Sequence, residues 1–265
     1  MGSWDPNLYL KFGAERTQPA WDLARRLAAI LGTRGSPLAP AILDLGCGPG
    51  NSAAVLAALW PGSLLVGLDS SPDMIEAARR SPFPAEWAVA DASTWEPGRS
   101  FDAVFSNAAL QWIPDQAGLL ERAWSWLVPG GALAFQVPGN EGSPLHRAVK
   151  AQAASPSWSG TFLHPVAGHR GEEPDFYYEV LAPFGGELQV WETTYWHLLP
   201  GHGSLLEWYR GTGLRPWLEA LPDEESRSAF VDELLEAVRK DYPSRADGSV
   251  FFPFRRIFFT ATKPD

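Results

Sequence analysis

A short apolar run that ends in a glycine-rich turn, Ala41-Ile-Leu-Asp-Leu45 followed by Gly46-Cys-Gly48-Pro-Gly50, constrains this chain more than any other feature. Residues 41–45 read as a buried strand, and residues 51–59 as a helix opened by an Asn/Ser cap. Glycine suits such a junction, because the chain turns sharply and a ligand must reach the main chain with no Cβ in its way. The helix start beyond it offers unpaired N–H groups and the positive end of a dipole, which favour a carboxylate or phosphate. The same rhythm then repeats. Strands at 63–69, 85–91, 101–107 and 132–138 alternate with helices at 72–80 and 116–127, and Pro129-Gly-Gly131 turns the chain into the last of these strands. Right-handed crossovers between such strands build a parallel sheet with helices on both faces. The expected fold is therefore α/β and doubly wound, preceded by an N-terminal helix at 18–32.

Beyond residue 142 the pattern changes. Helical stretches at 143–153 and 175–184 bracket a Ser/Pro/Gly/His-rich segment, 154–173, which reads as a mobile lid or surface loop. A long strand at 187–199, helical material over 203–241 and a final strand at 250–263 complete seven strands. The whole of 1–265 reads as one domain: an N-terminal cap segment (1–40), a ligand-binding core (41–139), a lid, sixth strand and helical cap over the substrate site (140–247), and the final strand (248–265). Glu219, Asp223, Glu224, Glu225, Asp232, Glu233, Glu236 and Asp241 read as a solvated helix face.

Composition removes several function classes. The net charge is −10, and Lys and Arg are dispersed, so nucleic-acid backbone is a poor partner. No apolar run approaches the ~20 residues of a membrane span, and the opening MGSWDPNLYL lacks the pattern of a signal peptide. These features point to a cytoplasmic protein without a membrane partner; oligomeric state is left open. The single cysteine, Cys47, excludes an intramolecular disulfide or multi-Cys zinc site, and inside the glycine loop it reads as a small packing residue. His146, His164, His169 and His202 have no metal-ligand spacing and read as loop or surface residues; no metal is expected.

Two chemistries compete for the glycine loop. A dinucleotide site needs G-x-G-x-x-G/A, and Asn51 stands where the last small residue belongs. The tighter Gly46-x-Gly48-x-Gly50, with Asp44 two residues before it, resembles the AdoMet-dependent methyltransferases of the Rossmann-like class. That resemblance implies a Rossmann-like, seven-stranded, mostly parallel sheet with AdoMet as cofactor. The loop would face the methionine part of AdoMet, with Asp44 on its amino group or on waters around it. Asp69, followed by Ser70 and Met74, closes the second strand, where an acid accepts the ribose hydroxyls. Asp91 closes the third and would receive the adenine amino group, with the Ala92 main chain beside it. Asn107 closes the fourth, flanking the methyl donor, and Gln111 and Trp112 follow it into the methyl-transfer region. Any one terminal Asp is explained as a helix cap; four polar residues closing four successive strands are not.

A closer resemblance runs from residue 4 to about 262. It is carried by Trp4-Asp-Pro-Asn-Leu-Tyr9-Leu-Lys-Phe12-Gly-Ala-Glu-Arg16-Thr-Gln-Pro19, Asp69-Ser-Ser-Pro-Asp-Met74, Asn107-Ala-Ala-Leu-Gln-Trp112, Trp191-Glu-Thr-Thr-Tyr195-Trp-His197, Thr212-Gly-Leu-Arg215-Pro-Trp217 and Phe252-Pro-Phe-Arg255-Arg256. These segments are similar to the trans-aconitate 2-methyltransferase family, which implies methyl esterification of a carboxylate on a small polycarboxylic acid. A carboxylate is already ionised near neutral pH, so no general base and no catalytic side chain is expected. Alignment would fall to residues that hold the acid's other carboxylates. Strand alternation puts Thr193, Tyr195 and His197 on one face. Arg215 sits in a loop, as a pocket arginine or a salt-bridge partner of the acidic segment. Arg255 and Arg256 point to opposite faces, and Arg256 is the one assigned to the acid. Tyr9 is assigned to the acid as well, and Arg16, by resemblance to related methyltransferases, to the methionine carboxylate, with a substrate contact as its alternative. Trp4, Trp112, Trp191, Trp196, Trp208 and Trp217, six of 13 tryptophans, lie in or beside these segments and suggest aromatic pocket walls. Other readings remain: methylation of another small acid or a malonyl-carrier thioester, a nucleotide-binding oxidoreductase, or a non-catalytic AdoMet-binding protein.

Overall fold

In the computed structural model the described residues are 13–33, 35, 37–163, 166 and 171–265. The chain forms two compact units, one of residues 1–138, 172–193 and 256–265, the other of 139–171 and 194–255.

The first unit carries the doubly wound architecture. Helix α1 (Gly13–Thr33) leads to β1 (Ala41–Leu45), α2 (Asn51–Leu59), β2 (Leu64–Asp69), α3 (Pro72–Ala78), β3 (Glu86–Val89), β4 (Phe101–Asn107), α4 (Gln116–Ser125) and β5 (Leu127–Pro138). Helix α6 (Pro174–Leu181) follows later in the chain, after α5 of the second unit (Pro144–Ala153). The sheet has seven strands in the order β3-β2-β1-β4-β5-β7-β6, with β6 at Glu187–Leu199 and β7 at Val250–Thr262. The β1–β2, β2–β3, β1–β4 and β4–β5 pairs are parallel, whereas β7 runs antiparallel to β5. Order reverses between β1 and β4, and such a switch point opens a ligand crevice at the carboxyl ends of the strands. The expected α/β, seven-stranded, mostly parallel sheet is what forms. Its core is apolar: Leu43, Val104, Phe135, Tyr177 and Phe259 are buried, and Phe135 stacks on Phe259 with ring centroids 5.1 Å apart.

Several boundaries differ from the sequence reading for local reasons. Helix α1 begins at Gly13 rather than 18 and runs through Pro19, which removes one helical hydrogen bond without ending the helix. Strand β3 stops at Val89, so Asp91 lies in the turn beyond it. Pro129-Gly-Gly131 is not a turn before a strand but a bulge within β5: register shifts there, with Phe101 opposite Leu127 and Ala103 opposite Ala132. Helix α2 is capped by Gly50 at φ +94 without a side-chain hydrogen bond, because Ser52 is drawn to Asp44 instead.

In the second unit the helical material breaks into α7 (His202–Arg210), α8 (Arg215–Glu219) and α9 (Glu224–Val238). The break after α7 contains Gly213, where a Cβ would lie 2.3 Å from the Tyr209 ring. Helix α9 buries Phe230, Val231, Leu234 and Val238, and all eight acids of 219–241 are exposed, as a solvated face requires. Residues 155–162 lie at the surface, as the surface-loop alternative expects. They form hydrogen-bonded turns, Trp158 donates to Glu233 Oε2 at 2.7 Å, and Trp158 and Phe162 both pack edge-on against Phe230. The rest of the 154–173 lid reading, with His164 and His169, falls mostly outside the described residues. Among the described residues, no helix is long and apolar enough to cross a membrane.

Candidate active site

The glycine loop is pinned across the end of β2. Gly46 N–H and Cys47 N–H donate to Leu68 O at 2.8 and 3.0 Å, and Gly48 N–H donates to Asp69 Oδ2 at 2.9 Å. Gly46, Gly48 and Gly50 all have positive φ (+72, +53 and +94), which a side chain would strain. At Gly46 the need is also spatial, since a Cβ would lie 2.2 Å from Ala109 Cβ. At Gly48 a Cβ would meet nothing within 4 Å, so the loop presents bare main chain to open space there. Gly46→Ala is expected to cost ~2 kcal/mol or more through strain and overlap together, lowering the melting temperature and AdoMet affinity in parallel. Melting curves with and without AdoMet check this, and a variant with unchanged stability would show that the loop is slack.

Asp44 lies beneath this loop, fully buried. Its Oδ2 accepts from Ser52 Oγ at 2.7 Å, while its buried Oδ1 has no hydrogen-bond partner among the described residues. Burial pushes its carboxyl up to about 7; the Ser52 hydrogen bond opposes this and the nearby Asp69 charge adds to it. Asp69, half-buried, is also raised by burial, with the N–H groups of Ser71 and Gly48 holding it down. Two crowded carboxylates, one with an acceptor that no described group fills, suit a cationic ligand that brings N–H donors.

The remaining cofactor candidates divide. Ser70 follows Asp69 and is exposed, whereas Met74 is buried in α3, its N–H donating to the Ser71 cap. Asp91 is exposed and held below the usual carboxylate range by the Ser93 hydroxyl and N–H, a turn-capping role, with Ala92 half-buried beside it. Asn107 is buried at the end of β4, and Trp112 is half-buried. Of Arg16 only the backbone, in α1, is described, and Tyr9 lies outside the described residues.

The acid candidates show a similar spread. Arg256 is buried in β7, opposite Pro138 and therefore beside the carboxyl end of β5. Its Nη1 donates to Gln136 Oε1 at 3.4 Å; Arg255, half-exposed, donates to Gly139 O at 3.3 Å. Opposite orientation of the two arginines is thus borne out. Gln111 is buried, its Nε2 donating to Ala108 O at 2.5 Å and its Oε1 without a partner among the described residues. Ala108 has φ +57, a left-handed conformation that costs a residue with a Cβ ~1–2 kcal/mol. In the second unit, Tyr195 and His197 share the inward face of β6, their rings parallel, and His197 packs 4.6 Å from Trp208. Arg215 opens α8 with its Nε 3.7 Å from Glu219 Oε1, the acidic-segment contact foreseen as its alternative.

Some expectations fail. His146 and His202 are buried, not surface residues: His146 bridges the Tyr209 hydroxyl (2.9 Å) and Glu141 (3.1 Å), and His202 Nε2 lies 2.7 Å from Tyr242 O. Trp208 is core of the second unit and so not a pocket wall, whereas Trp196 is 62% exposed. Gln136 was missed altogether, although a glutamine inside Ala-Leu-Ala-Phe-Gln-Val is the visible anomaly of β5.

Comparison with known proteins agrees with this geometry. A methyltransferase-domain family matches residues 42–131. Trans-aconitate 2-methyltransferase of Methylobacterium radiotolerans is 44% identical over 268 residues, covering 99% of each chain. The enzymes of that name from Azoarcus sp. and Escherichia coli are 40% and 37% identical, each covering 99% of this chain. Among solved structures, the plantazolicin methyltransferase in complex with a monoazolic analogue and SAH has a TM-score of 0.56 at 12% identity, covering 98% of this chain and 90% of that one. Phosphoethanolamine N-methyltransferase 2 of Haemonchus contortus, in complex with S-adenosyl-L-methionine, has a TM-score of 0.52 at 22% identity, covering 91% of this chain and 53% of that one. The unfilled acceptor of Asp44 and the open face of Gly48 fit AdoMet, which is cationic at sulfur and at its amino group. The chain belongs to the trans-aconitate 2-methyltransferase family and is an AdoMet-dependent methyltransferase.

Proposed function

We propose that this enzyme converts one carboxylate of trans-aconitate, or of a closely related small polycarboxylic acid, to its methyl ester, acting in the cytoplasm with small-molecule partners alone. The observation that carries this reading is Arg256, a buried guanidinium on β7 at the end of the sheet where Asn107 closes β4. A protein of net charge −10 repels a tricarboxylate at long range, so recognition has to come from a local, desolvated cation. Arginine supplies it in the planar geometry that matches a carboxylate.

AdoMet, when bound, supplies a sulfonium methyl group as the electrophile. What the chain contributes is alignment. Asp44 and Asp69 balance the cofactor's positive charge, the glycine loop lets it approach the main chain, and Asn107 borders the reacting end. Arg256, with Gln111, Tyr195, His197 and Arg215 as further candidates, holds the carboxylates that do not react. The reacting carboxylate needs no proton removed, so catalysis rests on proximity and exclusion of water. The test is an assay of methyl-ester formation with trans-aconitate, cis-aconitate, isocitrate and malonyl-type acids. Trans-aconitate is expected to give the highest kcat/KM; preference for a malonyl-type acid would move the enzyme to a different acceptor, and AdoMet binding with no ester from any acid would overturn the reading.

A further inference from the structure

Gln136 has no exposed surface, in a strand otherwise of Ala, Leu, Phe and Val over residues 132–137. A buried amide is tolerated only when both its ends are satisfied, and here each end is joined to a different strand. Gln136 Nε2 donates to Asn107 Oδ1 on β4 at 2.6 Å, and Oε1 accepts from Arg256 Nη1 on β7 at 3.4 Å. Register explains the reach: Gln136 lies opposite Asn107 on one side and opposite Phe258, two residues from Arg256, on the other. Its main chain takes part as well. Gln136 O accepts from Ala108 N at 3.0 Å, fixing the residue that adopts φ +57, and Ala108 O accepts from Gln111. The donor end of Gln136 occupies Asn107 Oδ1, so the orientation of the Asn107 amide is set. Any apolar residue of similar size would fill this space without linking the two strands.

We infer that Gln136 is a positioning residue: it holds the Arg256 guanidinium in register with Asn107 and the turn after β4, and so sets the acid against the methyl donor. This rests on Arg256 holding the acid. An in-line displacement without acid–base help depends on distance and angle, so a loosened link lowers the rate at saturation rather than cofactor affinity.

The test compares Gln136→Met, Gln136→Glu, Arg256→Lys and the double variant Gln136→Met/Arg256→Lys. Each is followed by thermal melting, AdoMet calorimetry and single-turnover methyl transfer to trans-aconitate, scaled to the folded fraction. Gln136→Met keeps length and volume but loses donor and acceptor. It is expected to bind AdoMet within twofold of the parent, to transfer methyl at least 30-fold more slowly at saturating acid, and to combine with Arg256→Lys non-additively. Gln136→Glu still accepts from Arg256 but loses the donor to Asn107 and brings a charge that competes with the acid for the guanidinium. It is therefore expected to raise the acid KM as well as slow transfer. A Gln136→Met rate within threefold of the parent, or strictly additive effects, would overturn the inference while Arg256→Lys still raises the acid KM. If Gln136→Met does not fold, Gln136→Glu decides alone: an acid KM and a transfer rate both within threefold of the parent would overturn the link. An acid KM unchanged in Arg256→Lys would instead refute the reading of Arg256 on which the inference stands.

Discussion

Asp44→Asn is expected to weaken AdoMet binding at pH 8 by two orders of magnitude or more while raising the melting temperature of the ligand-free protein. Both effects come from one buried charge. Burial raises the carboxyl from 3.8 to about 7 in the folded chain. Below 3.8 both the folded and the unfolded chain hold the proton, and ionisation costs nothing. Between 3.8 and about 7 only the folded chain holds it, so stability declines as pH rises, and above about 7 the cost is complete. That displacement corresponds to on the order of 4 kcal/mol. Asparagine removes the charge and so removes the cost, but it also removes the countercharge for a cationic cofactor. Melting curves at pH 5 and pH 8 separate the two: the variant should gain more on the parent at pH 8, where the cost is complete, than at pH 5, where it is partial. Calorimetry near pH 6 in buffers of different ionisation enthalpy should show that the parent releases a proton on binding AdoMet and that the variant does not. A variant that is less stable at pH 8, or that binds AdoMet as the parent does, would remove Asp44 from the cofactor site.

Arg256→Ala is expected to raise the KM for trans-aconitate about 100-fold, near 2.7 kcal/mol, with AdoMet affinity almost unchanged. A loss of that size matches one or two charge-assisted hydrogen bonds to a carboxylate, each worth ~1.5–3 kcal/mol. Arg255→Ala is the internal control, because Arg255 sits next in sequence with its Nη1 on the Gly139 carbonyl. Its KM should stay within threefold of the parent. Initial-rate kinetics on both variants give the answer, and equal effects from the two arginines would mean a diffuse cationic patch instead of one receptor group.

The parts of this protein that were legible in the sequence are those whose signal is local. Asp44 and the glycines announce themselves within seven residues, and a strand ending in Asp69 or Asn107 is visible from alternation alone. The facing of Arg256 away from Arg255 follows from the period of a strand. What escaped depends on distant partners. The role of Gln136 is defined by Asn107, 29 residues before it, and Arg256, 120 residues after it. His146 was read as a surface residue because its partner Tyr209 lies 63 residues away. The cap of α2 was misread for a subtler reason. Asn51 and Ser52 both suit a helix start, but the buried charge of Asp44 competes for the Ser52 hydroxyl and Gly50 takes the cap position.

The placement of β7 has a consequence for biosynthesis. It is the last strand to be made, yet it occupies an interior position, between β5 and β6. Until residues 250–262 leave the ribosome, β5 keeps one side unpaired, although every strand that frames the glycine loop already exists. A nascent chain can thus acquire its cofactor-binding half early and has to keep an open sheet edge from pairing with neighbours while synthesis continues. On the assignment of Arg256 proposed above, methyl transfer waits for the same event, because Arg256 arrives with the strand that closes the gap. Completion of the sheet and the arrival of Arg256 are therefore a single step in the life of each molecule.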